Sequence, residues 1–206
     1  WIAIVSLWPV GSRPYIGGSQ NNSIIELTFG YNGFGRLTGD ETGSVGGGGP
    51  GGAGGAGTSM WGQTGWSRMF DGVSGGQIAW LIPAAVVGLV AGLWLTRRAR
   101  RTDVRRAALL VWGGWLVVTA LTFSFMAGIY HDYYTVALAP AIAALVGIGA
   151  DLLWQARHHL VARLALALAI AGTSWWASVL LGRASEWNPW LAPAIAVVGF
   201  GSAALI

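Results

Sequence analysis

The sequence predicts an all-α membrane protein, a multi-pass bundle of four to five transmembrane helices with a glycine-rich extracytoplasmic loop. Of the 206 residues, 54% are hydrophobic and only 10% are charged, which is far from the composition of soluble domains. Several apolar segments reach the roughly 20 residues that a helix needs to cross a bilayer. Arginines are concentrated in two short connections between those segments, as expected for loops that stay in the cytoplasm.

The first 76 residues divide into two parts. Residues 1–10 are apolar but too short to cross about 30 Å of hydrocarbon, so they predict a helix end or an interfacial segment. Residues 11–76 are polar and glycine-rich, which predicts an extracytoplasmic loop containing a short helix. Within the loop, residues 45–57 are low-complexity sequence with the composition of a flexible coil. Residues 49–54 match a dinucleotide-binding pattern, but no strand precedes them and no helix follows, so nucleotide binding is not expected.

The short helix of the loop is predicted to begin at Ser23. Glu26 follows three residues later and an apolar run comes next, which is the pattern of a capping box. A helix start directs unpaired N–H groups outward and can hold an anion such as phosphate. A capped surface helix after a glycine turn explains the same spacing, so the sequence leaves both interpretations open.

Residues 77–206 are predicted to form the transmembrane helix bundle. Four apolar segments in this region are long enough to cross the membrane, and a fifth at the end is marginal. The five segments are residues 77–95, 107–127, 134–153, 160–181 and 191–206. Tryptophans near the segment ends are expected interfacial anchors, namely Trp80, Trp94, Trp154 and Trp190.

The arginines predict the orientation of the bundle in a plasma membrane. Six of the twelve lie between Arg97 and Arg106, and Arg157 and Arg163 flank the turn between the third and fourth segments. The positive-inside rule places both arginine-rich loops in the cytoplasm. The glycine-rich loop, the cluster around His131 and residues 182–188 then lie on the outer face. This distribution is typical of a topology signal, so no nucleic-acid partner is expected.

Two features of the third segment predict its packing. Ala139, Ala143 and Gly147 recur every four residues, a stripe of small side chains that permits close approach of another helix. Pro140 lacks the N–H that would bond to the carbonyl of Val136, so a kink is expected there.

Few residues suggest chemistry. The chain has no cysteine, which excludes disulfides and thiolate nucleophiles, and it carries none of the common soluble-enzyme motifs. A histidine beside a carboxylate can be held protonated and attract a phosphate, as His131 and Asp132 could. Anchoring in the aromatic belt suffices to explain the adjacent Tyr133 and Tyr134, and the spacing alone favours that interpretation. His158 and His159, by contrast, are expected to be loop residues without a metal, on the arginine-rich side.

Five stretches resemble the actinobacterial branch of the membrane glycosyltransferases, which is related to protein O-mannosyltransferases and lipid A aminoarabinose transferases. They are residues 11–23, 27–37, 75–83, 101–110 and 124–140. The combination of the loop, a Gly-Gly-Gln motif and a His-x-Tyr-Tyr motif carries the resemblance. The chain departs from the pattern after the histidine, where Asp132 replaces a proline of the family.

The resemblance implies an enzyme that takes a sugar from a polyprenyl-phosphate carrier and passes it to an acceptor protein or glycolipid at the outer face, by an inverting reaction. For such a transfer, the candidates for phosphate contact are His131, Arg13 and the N–H groups around Asn21, Asn22 and Ser23. Tyr133 and Tyr134 are expected to contact the phosphate or the isoprenoid, and Tyr134 matches the family's tyrosine at the head of a late spanning helix.

The same resemblance predicts that the chain is the carboxy-terminal part of the enzyme. The family's early acidic catalytic loop has no counterpart here, so no catalytic residue is expected in this chain. No cofactor is predicted, although a divalent metal in the full-length enzyme stays open. A non-catalytic membrane scaffold or accessory subunit is the alternative function. A pore is disfavoured because the segments carry almost no internal charge.

Overall fold

The structure is a computed structural model that describes residues 1–39 and 62–206, and the described residues are largely helical. The predicted flexible tract at 45–57 and the dinucleotide-like pattern at 49–54 lie outside the described residues. The chain divides into two compact units. The first unit contains Trp1–Arg68 and Leu121–His131, and the second contains Met69–Ala120 and Asp132–Ile206.

The first unit begins with short helices. Helix α1 spans Ile2–Leu7, a 3₁₀ turn spans Val10–Ser12, a π-helix spans Glu26–Phe34 and helix α2 spans Gly35–Thr38. Helical backbone starts directly after Ser23, so the predicted helix start is confirmed. The π-helix has non-helical backbone angles at Gly33, with φ −107° and ψ −107°.

The second unit is built from longer apolar helices. They are α3 (Gly72–Ile78), a 3₁₀ turn (Ala79–Leu81), α4 (Ile82–Leu95), α5 (Val104–Phe125, whose last residues belong to the first unit), a 3₁₀ segment (Asp132–Leu138), α6 (Ala139–Gln155), α7 (Leu160–Gly182) and α8 (Leu191–Ala204). Elements that follow one another without a break combine into longer stretches. With these combined, four stretches are long and apolar enough to cross a membrane.

Those four stretches are Gly72–Leu95, Val104–Phe125, Asp132–Gln155 and Leu160–Gly182. They confirm the four predicted spans, and the chain is an all-α, multi-pass, membrane-integral protein. The first stretch begins at Gly72, five residues before the predicted start. The prediction began later because glycines, which are poor helix formers, occupy the first turn. Helix α8 has 14 residues, which is shorter than a full crossing.

Pro140 lies at a change of helix type. It occupies the first turn of α6, where a proline needs no N–H partner. The residues before it, Asp132–Leu138, form a 3₁₀ helix. The structure therefore differs from the predicted kink inside one α-helix, because the α-helix begins at the proline rather than continuing through it.

Close packing of α4 on α6 depends on two glycines outside the predicted stripe. A Cβ atom added to Gly88 would lie 2.7 Å from the carbonyl oxygen of Leu145, and one added to Gly149 would collide with Gly88. The stripe prediction is wrong, because Ala143 and Gly147 are exposed. The face of α6 that includes the fully buried Leu145 packs inward instead.

The two arginine-rich turns lie at the same end of the second unit, which we call the arginine end. The Arg105 Nη1 atom donates to the side-chain oxygen of Gln155 at 3.1 Å, and Arg105 lies 4.0 Å from the carboxylate of Asp151. The Arg163 Nε atom donates to the carbonyl oxygen of Ile206 at 2.6 Å. The start of α5, the end of α6, the start of α7 and the end of the chain therefore meet there.

Helices α4 and α6 finish at the arginine end with the same arrangement. Arg97 donates to the carbonyl of Trp94 at 2.7 Å, and its guanidinium lies 3.9 Å from the centre of the Trp94 ring. Arg157 and Trp154 repeat this pairing at 2.8 Å and 4.7 Å. Each pair combines an interfacial aromatic with a cation at a helix C-terminus, both of which are favourable positions.

Candidate functional site

The end of the second unit opposite the arginine end brings two of the sequence motifs together. We call it the tyrosine end, because α3 and the 3₁₀ segment that carries Tyr133 and Tyr134 both begin there and pack against each other. The Ser74 hydroxyl donates to the Asp132 carboxylate, and the Thr135 hydroxyl donates to the Asp132 carbonyl at 2.6 Å. The Gly-Gly-Gln and His-x-Tyr-Tyr motifs are thus joined through Asp132.

These contacts explain the residue at which the chain departs from the family pattern. Ser74 and Thr135 are buried, with 4% and 1% of their surface exposed. A proline in place of Asp132 could accept through its carbonyl but would have no carboxylate for Ser74. From the sequence, Asp132 was considered only beside His131 and Ser74 was not singled out, because 58 positions separate the two partners of this contact. The unusual residue after the histidine was the available signal.

Tyr133 and Tyr134 form an aromatic pair at the tyrosine end. Their ring centres are 4.9 Å apart and their planes are nearly perpendicular, at 84°, a preferred geometry for aromatic contact. Tyr133 is 63% exposed, whereas Tyr134 is half-buried. The pair offers an apolar surface together with phenol hydroxyls, which suits a ligand with a polar head and an apolar chain.

Arg13 and Asn22 come together in the first unit. The Arg13 guanidinium donates to the carbonyl of Asn22 at 3.1 Å and to the carbonyls of Ser6 and Trp8 at 2.8 Å and 2.9 Å. The Asn22 side chain accepts from the Ile16 N–H at 2.6 Å, and its φ of 51° is left-handed. Arg13 and Asn22 therefore stabilise the loop after α1.

The Glu26 carboxylate accepts hydrogen bonds from groups near the helix start of the first unit. It accepts from the Ser19 hydroxyl at 2.6 Å and from the Asn21 N–H at 3.1 Å, while the Ser23 N–H donates to the Ser19 oxygen at 2.7 Å. The Ser19 hydroxyl, followed by the Asn21 N–H, lowers the pKa of the Glu26 carboxyl. A phosphate at Asn21 or Ser23 would have to displace these groups.

The Ser23 cap is formed in one direction. The Glu26 N–H donates to the Ser23 hydroxyl at 3.3 Å, as the capping box requires. The Glu26 carboxylate contacts Ser19 and Asn21 rather than returning to the Ser23 N–H, because the preceding turn brings these donors closer.

His131 ends the segment of the first unit that pairs with α2. The Ala127 and Gly128 N–H groups donate to the carbonyls of Leu37 and Arg36 at 3.1 Å and 2.9 Å. His131 is half-buried and takes part in further contacts. The structure groups Arg13 with Asn22 in one unit and Tyr133 with Tyr134 in the other, and phosphate binding by all seven predicted residues stays a prediction.

Within residues 1–39 and 62–206, no group of three or more histidine, aspartate or glutamate side chains is placed to hold a metal ion. His158 and His159 lie in the exposed turn before α7, as predicted.

The sequence of this chain is similar to two proteins named as putative mannosyltransferases. "Putative mannosyltransferase YycA" of Bacillus subtilis strain 168 is 31% identical over 230 residues, covering 78% of this chain and 33% of that protein. "Putative mannosyltransferase YkcB" of the same organism is 31% identical over 239 residues, covering 78% and 32%.

This chain thus spans about a third of the length of these two relatives. No family model matches the chain, and no solved structure matches it. The sequence similarity and the membrane-length helices together support a glycosyltransferase-like membrane family.

Proposed function

We propose that this chain is part of an integral membrane glycosyltransferase that moves a sugar from a polyprenyl-phosphate carrier to an acceptor protein or glycolipid at the outer face of the membrane. Similarity to two relatives named as mannosyltransferases carries the proposal. The helix bundle supports it, because a lipid-linked donor must be met within the bilayer.

The proposed reaction is an inverting displacement. A carboxylate outside this chain removes the proton of the acceptor hydroxyl, and the oxygen attacks the anomeric carbon of the sugar. The bond between that carbon and the phosphate oxygen breaks, and polyprenyl phosphate leaves with the bonding electrons. Negative charge grows on the phosphate, so fixed hydrogen-bond donors near it lower the barrier, each by about 3 kcal/mol in comparable sites.

The proposed donors are the seven residues predicted from the sequence. His131, Arg13 and the N–H groups of Asn21, Asn22 and Ser23 are offered for phosphate contact. Tyr133 and Tyr134 are offered for contact with the phosphate or with the first isoprenoid units. Tyr134 is the strongest of these assignments, because it resembles the family's tyrosine at the head of a late spanning helix.

The direct test measures transfer by the full-length protein in nanodiscs. Radiolabelled mannose is supplied as polyprenyl-phosphate mannose or as GDP-mannose, with an acceptor fraction freed of polyprenyl phosphate. We expect transfer from the lipid-linked donor alone. Transfer from GDP-mannose without carrier lipid would refute the donor class.

Two variants test the site. Tyr134→Phe removes one hydroxyl while keeping the ring, and His131→Ala removes the imidazole. We expect slower transfer in both, whereas Val161→Ala, an exposed position at the arginine end, should transfer normally. Normal transfer in both site variants would remove this cluster from the active site. Absence of transfer in the wild type with any lipid-linked sugar would favour the alternative, a non-catalytic scaffold or accessory subunit.

A further inference from the structure

Arg183 stands apart from the other arginines of the second unit. The described part of this unit contains nine arginines, and eight of them lie in the turns and helix ends of the arginine end. Arg183 follows the last residue of α7, at the tyrosine end. It lies over a tryptophan ring at the C-terminus of α7, as Arg97 and Arg157 do at the ends of α4 and α6, but it is the one of these nine arginines at the tyrosine end.

Arg183 is held against the approach to α3. Its Nη2 atom donates to the carbonyl oxygen of Phe70 at 2.8 Å. Its guanidinium lies 5.3 Å from the centre of the Trp176 ring, and the Phe70 and Trp176 rings meet edge to face with centres 5.5 Å apart. One hydrogen bond and the Trp176 ring therefore orient a cation that is itself exposed.

Gly75 makes room for this guanidinium. A Cβ atom on Gly75 would lie 3.1 Å from the Arg183 Nη1 atom and 2.5 Å from the Phe70 carbonyl oxygen. The neighbouring Ser74 donates to Asp132, at the start of the segment that carries Tyr133 and Tyr134. In the first turn of α3, Gly75 therefore lies beside Arg183, and the preceding residue, Ser74, contacts the segment that carries the tyrosines.

The guanidinium keeps most of its hydrogen-bonding capacity. An arginine has five N–H donors, and among the described residues the Phe70 carbonyl is the acceptor for Arg183. No carboxylate in residues 1–39 and 62–206 lies within ion-pair distance of it. The indole N–H of Trp176 is also buried without an acceptor in this part of the chain. The exposed guanidinium can therefore meet an anion with several oxygens.

We propose that Arg183 binds the phosphate of the lipid-linked sugar donor at the tyrosine end. The inference rests on the function proposed above and names a phosphate-binding residue additional to the predicted seven. Arginine suits this task because its planar fork can meet two phosphate oxygens at once. Trp176 and Phe70 hold the fork in place, which reduces the ordering cost of binding.

Binding of a phosphate lipid to the full-length protein in nanodiscs tests this proposal. The probes are polyprenyl phosphate, the uncharged polyprenol, phosphatidylglycerol and inorganic phosphate. Arg183→Gln removes the charge but retains an N–H donor for the Phe70 carbonyl. Arg163→Gln is the matched control, because Arg163 is also exposed and also donates to one backbone carbonyl, at the other end.

We expect Arg183→Gln to raise the Kd for polyprenyl phosphate by about tenfold or more, as for loss of a charged contact. Arg163→Gln should leave this Kd unchanged, and neither variant should alter the affinity for polyprenol. Arg183→Lys should recover part of the affinity, because it restores the charge without the fork. Thermal unfolding of each variant reports whether the fold is intact.

The proposal is overturned by an unchanged Kd in Arg183→Gln, by an equal loss of polyprenol binding, or by wild-type protein that does not bind polyprenyl phosphate. Equal competition from phosphatidylglycerol or inorganic phosphate also overturns it, since the site would then not select the carrier. Arg183-dependent binding in a protein without transferase activity would support this inference and remove the proposed function. An Arg183→Gln variant that transfers sugar and binds polyprenyl phosphate as well as the wild type does would overturn this inference and leave the proposed function standing.

Discussion

Replacing Gly149 by alanine should destabilise the helix bundle measurably, although the change adds only one methyl group. The added Cβ would collide with the backbone of Gly88, and backbone atoms cannot rotate away as a side chain can. Helices α4 and α6 would have to separate, and a gap of about 0.5–1 Å already forfeits a quarter to a half of each dispersion contact. Overpacking of this kind costs about 1–3 kcal/mol.

Gly147→Ala is the matched control, two residues away on the same helix. A Cβ atom there would have no neighbour within 4 Å, so the substitution should be neutral or stabilise by up to about 1 kcal/mol through helix propensity. Reversible unfolding in mixed micelles, with increasing SDS, measures the free energy of unfolding of both variants. Equal unfolding free energies for the two alanine variants would refute the packing argument.

Three other perturbations have defined outcomes. Ser74→Ala should lower the free energy of unfolding by about 1–3 kcal/mol, because it removes the hydrogen bond to the Asp132 carboxylate; an unchanged denaturation curve would contradict this contact. Glu26 has a lowered pKa in the folded protein, so its stabilising contribution is present above the ordinary carboxyl pKa and is lost as the pH falls through the folded value. Unfolding curves from about pH 6 to about pH 2 should therefore show the advantage of wild type over Glu26→Gln vanishing in acid, and a constant difference would argue against the shift. In this cysteine-free chain, Ala99→Cys and Ala184→Cys should react with an impermeant thiol reagent from opposite sides of the membrane, and labelling from one side would refute the predicted orientation.

Hydropathy predicted the four long helices, because burial in lipid imposes a length that composition reveals directly. The packing face of α6 could not be found this way. Small residues occupy two different faces of this helix, the predicted stripe and the face that contains Gly149. Which face packs against α4 is decided by the position of Gly88 on that helix. The helix start at Ser23 was predictable because the cap and its N–H partner lie three residues apart.

The candidate site was predictable only in part. Tyr133 and Tyr134 are adjacent in the sequence, so their proximity needed no fold. The contact of Ser74 with Asp132 joins residues 58 positions apart, and that of Arg183 with Phe70 joins residues 113 apart. Ser74 and Arg183 do not belong to a motif with chemical meaning by itself. Their contacts at the tyrosine end therefore become visible only when the helices are assembled.

The tryptophan and arginine pairs at the ends of α4 and α6, together with the glycine contact, fix the relative height of the two helices in the membrane. Trp94 lies six residues beyond Gly88 and Trp154 five beyond Gly149, or about 9 Å and about 7.5 Å along the helix axes. Both indoles therefore stand at nearly the same level when the glycines touch. Sliding one helix past the other by a turn would pull one anchor out of the headgroup layer, so lipid itself resists any change of register between the two helices.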